Sequence, residues 1–123
     1  MCYDYIAIDT FHRGRSRTID EYIRFLKYYI QKTKDQAQAD GVPHVILAEY
    51  GGSLEENIGW KSPDPREDIP LTEEELAETV RMVLELAEQT VDGYIYNGWS
   101  NDKQGLDKLP KVKQVVSDWY NRH

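Results

Sequence analysis

The segment Val45-Ile46-Leu47-Ala48-Glu49-Tyr50-Gly51 is a short aliphatic run that ends on a carboxylate, an aromatic residue and a glycine. A continuous apolar run of this length is typical of a parallel strand that is covered on both faces. Ligands in folds built from such strands bind beyond the carboxyl ends of the strands. The segment therefore predicts a buried strand over residues 45–48, and it makes Glu49 the first candidate for a functional carboxylate.

Two further segments repeat the pattern of a short apolar run followed by helical periodicity. Residues 5–10 and 94–96 are predicted strands, and each of the three predicted strands precedes an amphipathic segment. Thr18 with Glu21, and Thr72 with Glu75, have the spacing of a capping box, so the first two helices are predicted to begin there. Pro110 is expected to start the last helix.

Alternation of strands and helices predicts an α/β fold with parallel strands joined by right-handed crossovers. The chain of 123 residues is expected to form one partial domain with β/α units at about residues 3–41, 42–92 and 93–123. If the strands add in order, all three helices lie on one face, and the other face and both sheet edges are open. Two completions are considered: a β/α barrel with further strands, or a small doubly wound layer with one crossover reversed. The barrel explains more of the sequence, because it gathers all three strand ends at one rim.

Composition excludes several classes of function. The formal net charge is -7 and the isoelectric point is near 4.9, so a nucleic-acid partner is not expected. Cys2 is the sole cysteine, which excludes a disulfide framework within the chain. No spacing of histidines and carboxylates resembles a metal site, and no glycine-rich phosphate loop is present, so neither a metal nor a cofactor is expected. No apolar run is long enough for a membrane span, and no signal peptide is visible. The chain is expected in the cytoplasm if it is complete as written, and the compartment of a longer parent is left open.

Carboxylates and aromatic residues follow all three predicted strands. Because the carboxyl ends of parallel strands meet at one edge, we expect these residues to line one pocket. A carboxylate can act on the anomeric carbon of a sugar while aromatic rings stack on the apolar faces of a pyranose, so a carbohydrate is the predicted ligand. The candidates are Asp9, Phe11 and His12 after the first strand, Glu49 and Tyr50 after the second, Trp60 in the following loop, and Trp99 and Asp102 after the third.

In order and spacing, these motifs resemble the C-terminal end of a clan A glycoside hydrolase, a (β/α)8 barrel whose seventh strand ends in a nucleophilic glutamate. Residues 45–51 match that strand's pattern of an aliphatic run, Glu, an aromatic residue and Gly. Trp99 resembles the tryptophan that forms the floor of the sugar subsite after the eighth strand, and residues 5–12 take the place of the sixth strand. The resemblance implies three consecutive units of a TIM-type barrel, with Glu49 as the nucleophile of a retaining enzyme.

The chain departs from this family pattern in two places. The family's acid/base glutamate follows the fourth strand, which residues 1–123 do not contain. Where the sixth strand of the family often has a tyrosine that bonds the nucleophile, this chain has Phe11 and His12. Retaining cleavage needs two carboxyl groups about 5 Å apart. We therefore predict that these residues are catalytically incomplete without N-terminal barrel units.

Two other roles are compatible with the same residues. A non-catalytic carbohydrate-binding or assembly module would keep the aromatic rim without performing chemistry. Self-association through the two open strand edges would complete the sheet with other copies of the chain. The predicted partners are therefore a carbohydrate, together with either the missing barrel half or further copies of the chain.

Overall fold

The computed structural model describes residues 4–13, 18–53, 71–96 and 106–122, and of these it describes only the backbone at residues 11–13, 49 and 51–53. Strands and helices alternate along the described residues. They are β1 (Tyr5–Arg13), α1 (Ile19–Ala39), β2 (His44–Ser53), α2 (Glu73–Thr90), β3 (Gly93–Tyr96), a short 3-10 helix (Leu106–Lys108) and α3 (Pro110–Arg122).

The three strands form one parallel sheet in the order β1-β2-β3. Parallel pairing of consecutive strands requires a crossover between them, and α1 and α2 lie in those crossovers. The prediction of a mixed α/β fold with parallel strands is therefore confirmed.

The hydrophobic core lies between the sheet and the helices. α2 packs against both α1 and α3, and each of α1 and α2 contacts two neighbouring strands. On β1, Ile8 is buried while Ala7 and Asp9 are exposed, which is the alternation of a strand with helices on one face only. Tyr5 and Ile95 are large apolar residues that stay exposed on the strands at the two edges. The core residues include Ile8, Leu26, Ile30, Val45, Leu47, Leu76, Val80, Leu84 and Val112.

Helix ends follow the capping signals in the sequence. The Thr72 side chain accepts a hydrogen bond from the backbone N–H of Glu75, and the Glu75 carboxylate accepts one from the backbone N–H of Thr72. Thr18 caps α1 by accepting from the N–H of Glu21. Gly41 follows α1 with φ of 73°, a left-handed conformation that glycine adopts without steric cost. The predicted starts of all three helices are confirmed.

The predicted end of the second strand is wrong. β2 does not stop at Ala48 but continues through Glu49 and the two glycines to Ser53. Gly51 and Gly52 pair with Phe11 and His12 of β1. Pairing of strands uses backbone N–H and C=O groups, so glycines can take part although they have no side chain. Glu49 therefore lies inside a strand and not in a loop after it.

Candidate functional site

The backbone of Glu49 lies beside that of Asp9 on the neighbouring strand. Ile8 pairs with Leu47, and the next pair along the two strands is Asp9 with Glu49, so Ala48 has no partner on β1. One extra residue on one strand is the defining property of a β-bulge, and bulges are frequent beside active sites. The bulge fixes which residues of β2 stand opposite the carboxyl half of β1.

The bulge changes the alternation of buried residues along β2. Leu47 and Tyr50 are both fully buried although they are three residues apart, whereas strict alternation would place them on opposite faces. Tyr50 pairs with Thr10, whose hydroxyl is 2.7 Å from the hydroxyl of Tyr22 on α1. Both residues of this pair are thus on the helix side of the sheet.

Tyr50 is the centre of a cluster of aromatic residues on the helix side of the sheet. Its ring meets Tyr96 edge-on with a centroid separation of 5.3 Å, and Tyr94 with a separation of 6.5 Å. Its hydroxyl lies 3.5 Å from that of Tyr120 on α3. Burial raises the pKa of Tyr50 and raises that of Tyr96 to about 12. Tyr50 therefore packs the core here, and its contact with a sugar stays a prediction.

α3 is tied to β3 through the same cluster. Trp119 donates its indole N–H to the Tyr94 hydroxyl at 2.9 Å, and that hydroxyl donates to the Glu88 carboxylate at 2.6 Å. The Tyr120 hydroxyl donates to the backbone carbonyl of Tyr94 at 3.3 Å. Sequence reasoning missed this cluster, although tyrosines at alternate positions of a short strand and adjacent aromatic residues in the last helix were its signal.

The remaining predicted site residues divide into two groups. Asp9 is exposed, and the backbone of His12 lies on β1 opposite Gly52 of β2. Trp60, Trp99 and Asp102 lie outside the described residues. The structure thus brings residues 9–12 of β1 beside residues 49–52 of β2, at the carboxyl half of both strands.

The amino ends of the strands carry a different kind of contact. The Asp92 carboxylate accepts a hydrogen bond from the backbone N–H of Val45 at 2.9 Å, and the His44 Nδ1 lies 3.7 Å from it. The backbone N–H of Asp92 in turn donates to the carbonyl of Val45. These contacts join the start of β3 to the start of β2, away from Glu49.

The carboxyl half of β1 and β2 is the candidate site, because the predicted site residues His12, Glu49 and Tyr50 lie there. Within the ranges that the structure describes, no group of three or more histidines, cysteines and carboxylates is placed to hold a metal ion. No helix in those ranges is long and apolar enough to cross a membrane. In comparisons with known proteins, no family model and no curated protein matches the chain.

Proposed function

We propose that the chain forms the last three β/α units of a retaining glycoside hydrolase barrel, with Glu49 as its nucleophile. The observation that carries the proposal is the backbone register that sets Glu49 beside Asp9, near the middle of two adjacent parallel strands. In β/α barrels, catalytic residues come from the carboxyl ends of several strands. Glu49 has the residue type that this role requires, and β2 continues beyond it to Ser53.

The arrangement of the helices supports a barrel segment over a doubly wound layer. The strands add in sequence order, and the buried residues lie on one face of the sheet. A barrel has helices only on its outer face, whereas a doubly wound sheet has helices on both faces. In the proposed barrel, the open face with Tyr5 and Ile95 is the interior, which side chains of further strands fill.

In the proposed reaction, the Glu49 carboxylate attacks the anomeric carbon and forms a glycosyl ester while the glycosidic C–O bond breaks. An acid from the other barrel units protonates the departing oxygen, and the same group later removes a proton from the water that hydrolyses the ester. Trp99 stacks on the sugar ring in this proposal, and the other proposed contacts are His12, Trp60 and Asp102, whereas Tyr50 supports the strand from the helix side.

The proposal is tested by supplying the missing units. The full chain is mixed with the five N-terminal β/α units of a clan A glycoside hydrolase, and the hydrolysis of aryl glycosides is measured. We expect Glu49→Gln to lower turnover by about 1000-fold or more, because the covalent step needs the carboxylate. Glu78→Gln is the matched control, since this carboxylate is exposed on α2. Equal turnover in wild type and Glu49→Gln would remove Glu49 from the mechanism.

A second measurement separates a nucleophile from a general acid or base. In the Glu49→Ala complex, added azide is expected to restore turnover and to give a glycosyl azide of inverted configuration, because azide occupies the place of the carboxylate. A retained configuration would contradict the assigned role. Oligosaccharide binding that quenches tryptophan fluorescence without any hydrolysis would identify a carbohydrate-binding module instead.

A further inference from the structure

The outer edge of β1 has few of the features that protect an edge strand over residues 5–10. In the described part of the chain, β1 pairs with β2 on one side, and no strand pairs with its other side. Natural edge strands are protected by lysine, proline, bulges or extreme shortness. Residues 5–10 contain no proline and no lysine, and Asp9 is their only charged residue. The backbone groups that point outward from β1 are therefore suited to pair with another strand.

An apolar groove lies along this edge. It has a volume of about 420 Å³ and is lined by residues 6–8 of β1 and by Tyr29, Lys32, Thr33 and Gln36 of α1. Ala7 is on the opposite side of the strand from Ile6 and Ile8, so a groove that all three line follows the strand edge. No residue of β2 or α2 lines it. The groove is thus on the side of the domain away from the second β/α unit.

The flank of α1 beside the groove carries a stacked aromatic pair. Phe25 and Tyr29 are one helical turn apart, with ring centroids 6.1 Å apart and an angle of 15° between the rings. Their exposed fractions are 45% and 43%, although the adjacent Leu26 and Ile30 are in the core. Paired aromatic rings beside an open strand edge are typical of a surface that another element covers.

The units of this chain show which kind of element fits such a surface. β2 pairs in parallel with β1, and α2 packs on the flank of α1, and the same arrangement joins the third unit to the second. We infer that the β1 edge and the Phe25–Tyr29 flank bind a further β/α unit, whose strand pairs parallel to β1 and whose helix packs on the two rings. This inference rests on the proposed barrel and identifies the surface by which the N-terminal units attach.

A second copy of the chain fits this surface less well than a separate β/α unit. Copies that join edge to edge add three described strands at a time, which cannot complete a barrel of eight. Each copy also has a net charge of -7, so association of like chains is opposed by repulsion. The occupant is therefore a unit from the N-terminal part of the barrel.

The test fuses the five N-terminal units of a clan A glycoside hydrolase to the full chain through a flexible linker. Hydrogen exchange at residues 5–10 is then measured in the fusion and in the unfused chain. We expect exchange at the outward amides of β1 to slow by at least about tenfold in the fusion, because pairing protects them. Tyr29→Glu and Phe25→Glu are each expected to abolish this protection. Tyr28→Glu is the matched control, since Tyr28 is 66% exposed and does not line the groove.

Circular dichroism of the unfused variants establishes that each one folds. Unchanged exchange in the fusion, or equal loss of protection in all three variants, would overturn the inference. So would strong protection of the outward β1 amides in the unfused chain, because its own residues would then cover the edge. A dimer of the unfused chain that Tyr29→Glu dissociates would identify a second copy as the occupant. If the β1 amides are protected in the fusion but no hydrolysis depends on Glu49, only the proposed function is rejected. If hydrolysis depends on Glu49 but Tyr29→Glu leaves it unchanged, only this inference is rejected.

Discussion

Tyr50→Ala is expected to lower the stability of this domain by several kcal/mol. The Tyr50 side chain is fully buried, with edge-on contacts to Tyr96 and Tyr94. Replacing a buried aromatic residue by alanine costs about 3–5 kcal/mol, because transfer free energy is lost and a cavity remains. Small domains have a free energy of unfolding of about 5–15 kcal/mol, so the expected loss is between about a fifth and all of it. Tyr50→Phe is expected to cost at most about 1 kcal/mol, since its hydroxyl is 3.5 Å from that of Tyr120.

The assay is urea-induced unfolding followed by far-ultraviolet circular dichroism, with the free energy of unfolding extrapolated to water. Tyr28→Ala is the matched control, because Tyr28 is 66% exposed and its loss is expected to change the free energy by less than about 0.5 kcal/mol. A cost below about 1.5 kcal/mol for Tyr50→Ala would refute the assigned packing, and so would an equal cost in the control. A cost of several kcal/mol for Tyr50→Phe would instead assign the stabilisation to the hydroxyl.

Three further predictions concern other parts of the fold. Gly41→Ala is expected to lower the free energy of unfolding by about 1 kcal/mol, because the φ angle of Gly41 is 73°. Gly93→Ala is the control and is expected to change the free energy by less than about 0.5 kcal/mol, because the new Cβ would lie 3.5 Å from the nearest side chain. Burial raises the pKa of Tyr96 from 10.0 to about 12, so the folded state keeps a proton that the unfolded state releases. The contribution of Tyr96 to the free energy of unfolding is complete below pH 10 and falls as the pH rises towards 12, by up to about 1.4 kcal/mol per pH unit. Urea unfolding across this range should show a smaller fall in the free energy of unfolding for Tyr96→Phe than for the wild type. The hydrogen bond and charge of Lys111 lower the pKa of Glu74, so Lys111→Ala should raise that pKa towards 4.5 in an NMR titration, and an unchanged pKa would show that the pair does not form in solution.

The helices and their caps were predictable because their signals are local. The threonine and glutamate of each capping motif are three residues apart, and the apolar positions of a helix recur within a few turns of the same segment. The parallel sheet was also predictable, because strands that alternate with helices have few other ways to pair. These features need no knowledge of which distant residues meet.

The end of β2 and the tyrosine cluster depend on distant residues. Gly51 and Gly52 indicate a loop when read alone, and they continue the strand because β1 lies beside them. Tyr50 indicated a ligand contact because it follows a carboxylate, but residues of β3 and α3 enclose its ring. For the candidate site, the sequence located the strand that carries Glu49. The position of Glu49 opposite Asp9 could not be predicted, because it depends on the pairing register of β1 with β2, which no local pattern specifies.

The unpaired Ala48 divides β2 into two halves in which different positions are buried. Before it, the odd-numbered residues Val45 and Leu47 are buried, and after it the buried residue is the even-numbered Tyr50. Deleting Ala48 would restore regular alternation along β2, with Leu47 and Tyr50 on one face and Glu49 still opposite Asp9. A relative that lacks this one residue should therefore keep the carboxylate of β2 opposite that of β1.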